Sequence, residues 1–516
     1  MVRARELAAM CLLIFAAIAP AVHAQESLSA SQLSPEAIRE LADEYSDDAL
    51  SLFREFLRYP NDAHHPDDIM AMVEWMEDQF EELGFSLRRL ETPGSPLLLA
   101  ERDHGAATTV LVYLQSDGQP VAPWAWEQEN PFDPVLKAED TPGSWRALDW
   151  SALEGERNPD WRIFARSASD SKGPMTQFMV ALQALNAIDI TPDYNLKVII
   201  DTEEEMGSPH LPQAVIDHRD ALSADMLMIF DGPPHISNRP TVKFGARGIM
   251  TLTLVTYGPR APLHSGHYGN FVPNPALGLA RLLTSMKAPD GRVVIDGFYD
   301  GVELSDEVRA ILAAVPDDEA RILAAVGVAA PDRVADSLQG SVQYPSLNIR
   351  GLNSGWVGNE VRTIVPATAT AEIDVRLVKE SDPEYLLGLI RQHIEDQGYL
   401  ILDRPPTNAE RLTHPRIISL ESTISYAAFR TDFDAPPGLL ARGAMRHLYG
   451  EEPILIRTSG GSIPISPFVD TLGIPAASYP TVNGDNNQHS PNENIRLGNF
   501  LDGVAMMIAI LAHRIE

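Results

Sequence analysis

Hydrophobic and polar positions alternate along this chain with two different periods. Between residues 67 and 83, Ile69, Met72, Val73, Met76, Phe80 and Leu83 recur every three or four positions, and Gly84 follows. That spacing predicts an amphipathic helix stopped by glycine. Three short apolar, β-branched runs come next, at 108–114, 195–201 and 225–230. They read as strands buried on both faces, as in a parallel sheet, and 175–187 reads as the helix between the first two. Such an α/β layer presents ligands at the carboxyl ends of its strands.

Near Arg247 the period changes. Residues 248–258 and 368–378 alternate strictly, as two-faced strands do, while 274–287 and 383–397 have helical spacing. This predicts a smaller α+β domain inserted between two halves of the first. The α/β pattern is expected to resume around Leu420 and to close with a helix over 500–515. The predicted divisions are 25–246 and 413–516 for the split α/β catalytic domain and 247–412 for the insert. The Asp- and Ala-rich stretch 305–336 has helical character and carries no chemistry of its own.

With 516 residues the chain has ample material for more than one core. Its first 24 residues read as a signal peptide: Arg3 and Arg5 precede an apolar run, and Ala21-Val22-His23-Ala24 is a small-x-small cleavage pattern. The apolar run is too short to span a bilayer. Gln25 is the expected mature start, in the periplasm or outside the cell. The only cysteine, Cys11, lies in that segment, so disulfides and thiolate metal ligands are excluded from the mature chain. A formal charge of −32 argues against nucleic acid or an anionic membrane as partner.

Polar clusters fall where the α/β layer would place a site. Gln115 and Asp117 follow the first strand, and Asp170-Ser171-Lys172-Gly173 precedes the helix near Pro174. Glu203, Glu204 and Glu205 follow the strand ending at Asp201, and Asp231 ends the next. Far downstream, His489 stands in a loop that runs to Glu493. Taken singly, an acidic run is a solvated turn and a lone histidine a loop residue. Converging at strand ends, carboxylates and imidazole make a site for a hard-to-borderline divalent ion.

In that order the motifs resemble those of the metallopeptidase family that includes carnosinase, glutamate carboxypeptidase and acetylornithine deacetylase, over nearly the whole mature chain. The family pattern is a strand ending His-x-Asp, then Asp-x-Lys-Gly, Glu-Glu-x-Gly-Ser, a strand-end acid and a late His-Ser-x-Asn-Glu. Here these are Gln115-Ser116-Asp117, Asp170 to Gly173, Glu204 to Ser208, Asp231, and His489 to Glu493. Leu263-His264-Ser265-Gly266 resembles the family's lid motif, Asp374-Val375-Arg376 its substrate-arginine strand, and Gly460-Gly461-Ser462 its glycine-rich substrate loop.

The resemblance implies a split catalytic domain with a ferredoxin-like lid, and one or two divalent ions, zinc first. Asp170 would bridge them, with Glu205 and His489 on one side and Asp231 and Gln115 on the other. Glu204 would be the general base and Asp117 would orient residue 115. His264 would hydrogen-bond the oxyanion, in dimeric relatives from the partner subunit, so a homodimer through the lid is expected. Arg376, Gly461 and Ser462 would hold the carboxylate of a small peptide or N-acyl amino acid.

Two departures stand out. The family's Arg-Glu-Gly-Gly run is Arg457-Thr458-Ser459-Gly460-Gly461 here, without its glutamate. More telling, Gln115 replaces the histidine ligand. Its carbonyl oxygen can accept a metal while its NH₂ donates to Asp117, much as the two imidazole nitrogens divide that work. An amide oxygen is nevertheless the poorer ligand for zinc, so the ion beside it is expected to be weak or missing. A binding protein that kept the cleft without catalysis is the competing class, distinguished by metal content and hydrolysis of dipeptides and N-acyl amino acids.

Overall fold

A computed structural model describes residues 33–515. The expected signal peptide and its cleavage site before Gln25 therefore lie outside the described residues. The largest sheet has eight strands, in the order Ser86–Leu90, Leu97–Arg102, Asn195–Asp201, Thr109–Gln115, Met226–Ile229, Ala476–Ser478, Thr241–Lys243 and Ile454–Ile456. Its four central strands, from Asn195–Asp201 to Ala476–Ser478, run parallel, and antiparallel pairs flank them.

Alternation explains how this sheet is covered. Val110, Val112 and Leu114 point into one apolar cluster with helices Lys172–Ala187 and Leu497–Leu511. Leu111 and Tyr113 point into another with Leu211 and Phe468 on the opposite face. A central strand buried on both sides must be apolar throughout, which is the pattern the sequence carries. The closing helix begins at Leu497, three residues before its expected start, because Arg496 ends a strand and caps it directly.

The insert is a five-stranded sheet ordered Ser346–Asn353, Thr368–Leu377, Gly248–Tyr257, Ile417–Tyr426 and Leu400–Leu402. Helices Pro275–Met286 and Pro383–Asp396 close its core. One expectation fails here: the stretch around Leu420 does not reopen the first layer. Ile417–Tyr426 pairs antiparallel with Gly248–Tyr257 and buries Ile418 and Leu420 in the insert's core. The chain returns only afterwards, where Phe429–Arg430 pairs with Gly245–Ala246, so the outgoing and incoming crossings are hydrogen-bonded to each other. Within 305–336, helices Asp306–Ala314 and Glu319–Val326 are separated at Pro316 and end at the left-handed Gly327.

A four-stranded sheet unforeseen from the sequence joins Asn494–Arg496, Arg162–Phe164, Val135–Thr141 and Ser144–Ala147. Its Asn494↔Phe164 register carries the His489 loop to the segment leading into Asp170.

Candidate metal centre and active site

Asp170 stands between the strand Arg162–Phe164 and the helix beginning at Lys172. Its loop is fastened from below by Glu493, which is fully buried and accepts from the backbone amides of Ser167, Ser169 and Asp170, each at 3.0 Å. Arg166 closes that network, donating to Glu493 Oε2 at 2.8 Å. The side chain of Lys172, also buried, donates to the carbonyls of Phe56 and Tyr59 and so braces the helix start rather than the cleft.

The acidic turn after Asp201 is held by another carboxylate. Asp117 accepts from the backbone N–H of Glu204 at 2.9 Å and of Glu205 at 3.0 Å, fixing the short turn Glu204–Met206. Gly207 ends that turn at φ 81°, a left-handed conformation suited to glycine. Glu203 turns away to accept from the Ser95 amide and His210, which makes it structural.

These supports bring three ligand groups together. His489 Nε2 lies 3.0 Å from Asp170 Oδ2 and 3.5 Å from Glu205 Oε2. Ligand atoms of Asp170, Glu205 and His489 all fall within 4.8 Å of one another, the one such group among the described residues. Asp170 and Glu205 are 7% and 5% exposed at the side chain, His489 53%, so the pocket opens on the histidine side. Burial and the Asp170 charge push the Glu205 carboxyl up to about 8, while Asp170 draws the His489 imidazole up to about 9. Burial, with Asp231, Asp170, Glu205 and Asp117 nearby, also pushes the Glu204 carboxyl well up. Crowded anionic oxygens beside an imidazole are a donor set that a divalent cation satisfies, so these residues fit one.

Gln115 behaves differently from its expected part. Its NH₂ donates not to Asp117 but to Asp170 Oδ1 at 2.7 Å and Asp231 Oδ1 at 3.4 Å. The Asp117 oxygens accept from the Glu204 and Glu205 amides instead. Gln115 Oε1 is buried without a hydrogen-bond partner. Ser171 Oγ also reaches both Asp170 Oδ1 and Asp231 Oδ1, at 3.1 Å each.

The residues expected to hold a substrate carboxylate are also brought together. Arg376 Nη1 donates to Ser462 Oγ at 2.7 Å, and Gly461 O accepts from the Arg247 amide at 3.2 Å, so the glycine loop is stitched to the insert's strands. His264 is not brought to the metal-ligand group within one chain. It ends the two-residue strand Leu263–His264, exposed, with Nδ1 accepting from the Gly266 amide at 3.0 Å.

Several participants escaped the sequence reading. Tyr426, half-buried at the end of an insert strand, lies near Glu204, Asp231 and Arg376 together. Gln119 donates to Glu205 Oε2 at 2.7 Å and Gln488 to Asp170 Oδ2 at 3.2 Å. Gln119 and Gln488 flank motif positions in the chain, but neutral amides carry no signal of their own. Lys243 lies against the turn after Asp231, whose charge acts on it.

The profile of the peptidase family M20/M25/M40 matches residues 133–513. The chain belongs to that family. Among relatives, it is 28% identical to the Cys-Gly metallodipeptidase of Saccharomyces cerevisiae, over 68% of this chain and 72% of that one. It is 26% identical to the Beta-Ala-His dipeptidase of Homo sapiens, over 68% of each chain. An M20 family metallo-carboxypeptidase from Sulfolobus solfataricus superposes with a TM-score of 0.74 at 26% identity, covering 90% of this chain and 98% of that one. The chain is thus an enzyme of metallopeptidase type that uses a divalent ion. No described helix is long and apolar enough to cross a membrane.

Proposed function

We propose that this enzyme hydrolyses the peptide bond of dipeptides with a free terminal carboxylate, using zinc at Asp170, Glu205 and His489. The observation that carries the reading is the pairing of two preassembled groups: the three metal ligands beside Glu204, and Arg376 of the insert bonded to Ser462 of the glycine-rich loop, with Tyr426 close to both Glu204 and Arg376. The relatives named above, which act on Cys-Gly and on Beta-Ala-His, support a dipeptide as the substrate class.

A bound divalent ion supplies a Lewis acid for the scissile carbonyl and lowers the pKa of water. The chain's residues do the rest. Arg376 and Ser462 orient the substrate carboxylate, where a guanidinium fork matches two oxygens. Glu204, a strengthened base in its buried acidic surroundings, takes the proton of the attacking water and returns it to the leaving amine. Asp117 keeps Glu204 and Glu205 in register through their amides. His264 serves the oxyanion in a dimer formed through the insert. Secretion through the segment ending at Ala24 completes the proposal, placing the enzyme in the periplasm or outside the cell. A non-catalytic binding role would leave the Glu204 and Asp117 arrangement without purpose.

The test is a panel of dipeptides, their C-terminal amides and N-acyl amino acids, with zinc-loaded and chelator-treated protein. Cleavage of the free dipeptides, lost with the metal and strongly reduced for the amides, is expected. Hydrolysis of N-acyl amino acids alone would overturn the substrate class, and zinc-loaded protein inert toward the whole panel would overturn the reading itself.

A further inference from the structure

We propose that this chain holds one divalent ion, not two, because the Gln115 amide fills the place of a second ion between Asp170 and Asp231 and the Lys243 ammonium stands against the turn after Asp231. The inference rests on the metal site assigned above and is independent of the substrate.

A metal ion needs lone pairs on every side. Between Asp170 and Asp231 the chain offers hydrogen-bond donors instead. The Gln115 NH₂ stands 2.7 Å from Asp170 Oδ1 and 3.4 Å from Asp231 Oδ1, and the Ser171 hydroxyl stands 3.1 Å from both. The two carboxylate oxygens that would share a second ion therefore share protein N–H and O–H groups. Histidine at 115 would present a lone pair there; a glutamine so oriented presents two protons.

Two facing carboxylates still need positive charge, and the strand Thr241–Lys243 supplies it. Lys243 is the last residue of this strand, whose neighbour Ala476–Ser478 is flanked on its other side by Met226–Ile229, the strand running into Asp231. Its Nζ lies against the turn after Asp231, 3.4 Å from where a Cβ on Gly232 would stand. Burial works against the charge of this ammonium, and Asp231 is the charged group that supports it. An ammonium there offsets Asp231 and repels a dication approaching from the Asp170 side. Consistent with this, Asp231 falls outside the group of metal-ligating side chains.

Metal stoichiometry decides the matter without reference to turnover. The full-length mature chain is loaded with zinc, dialysed against a mild chelator, and its metal content measured by mass spectrometry, with zinc titration of the metal-free protein alongside. Wild type is expected to retain one ion, and so is Gln115→His, because Lys243 remains. Gln115→His combined with Lys243→Met should retain two, the second at least ~10-fold tighter than in wild type, as for restoring a coordinating group. Two ions retained by wild type would overturn the proposal, the Gln115 oxygen then serving as ligand. Two ions in Gln115→His alone would remove Lys243 from it, and one ion in the double variant would show that no second site had been displaced. If a variant fails to fold, the wild-type stoichiometry stands as the test. One ion in a protein that cleaves no dipeptide would defeat the proposed function and leave this inference intact, whereas two ions with cleavage would do the reverse.

Discussion

Glu204 and Glu205 adjoin in the chain and share one anchor, since Asp117 accepts both of their amides. Their carboxyls nonetheless have different surroundings. Glu205 faces His489 and Gln119, within the ligand group. Glu204 stands outside that group but close to Asp231, Asp170 and Asp117, whose charges together with burial make it reluctant to ionise and eager for a proton. Replacement Glu204→Gln keeps the shape and removes the basic oxygen. Turnover should fall by ~10²-fold or more, the loss expected for a general base, while metal content and melting temperature stay at wild-type values. Turnover close to wild type would take Glu204 out of the mechanism.

Elements owe their placement to contacts that only partly show in the sequence. The His489 loop reaches Asp170 because Asn494–Arg496 pairs with Arg162–Phe164 and because Glu493 ties three amides of the Asp170 loop. Arg166 and Glu493 are 3% and 1% exposed at the side chain, so the pair is fully desolvated. Arg166→Met should leave a buried charge unpaired and cost about 3–5 kcal/mol, read by denaturant unfolding, and Arg166→Met with Glu493→Gln should recover part of it. Unchanged stability in the single variant would show that the pair does not hold this loop. The sequence revealed long elements with a clear period: the strands over 108–114 and 195–201, the helix over 175–187, and the alternating strands of the insert. It did not reveal Arg162–Phe164, because three residues establish no period, nor the allegiance of Ile417–Tyr426. That strand is apolar at one end and polar at the other, and which sheet it joins depends on a partner some 170 residues away. At the site, the acids and the histidine that converge were legible by motif. Tyr426 and Lys243 were not, since their proximity to Asp231 comes only from the packing of distant strands.

On the scale of the whole molecule, His264 stands apart from the metal-ligand group within one chain. His264 carries the lid motif yet stands exposed, accepting from the Gly266 amide, with its ring tilted against His267 at 4.7 Å between centroids. The same insert exposes its outer strand, Ser346–Asn353, at the edge of the five-stranded sheet, with Ile349 39% and Leu352 62% accessible and Val357 83% accessible just beyond. An unpaired edge carrying apolar side chains invites a second copy. In a two-fold dimer built on it, each His264 would serve its partner's cleft, so the two halves of the machinery would sit on different chains. His264→Ala and Glu204→Gln homodimers should then each be nearly inactive with metal retained. Dissociated and reassociated as an equal mixture, they should regain about a quarter of wild-type turnover, because half the dimers are mixed and each has one cleft with both groups intact. Activity that stays at the level of the separate variants, in a mixture shown by native mass spectrometry to contain the mixed dimer, would mean that His264 acts on its own chain, by closure of the insert over its own cleft.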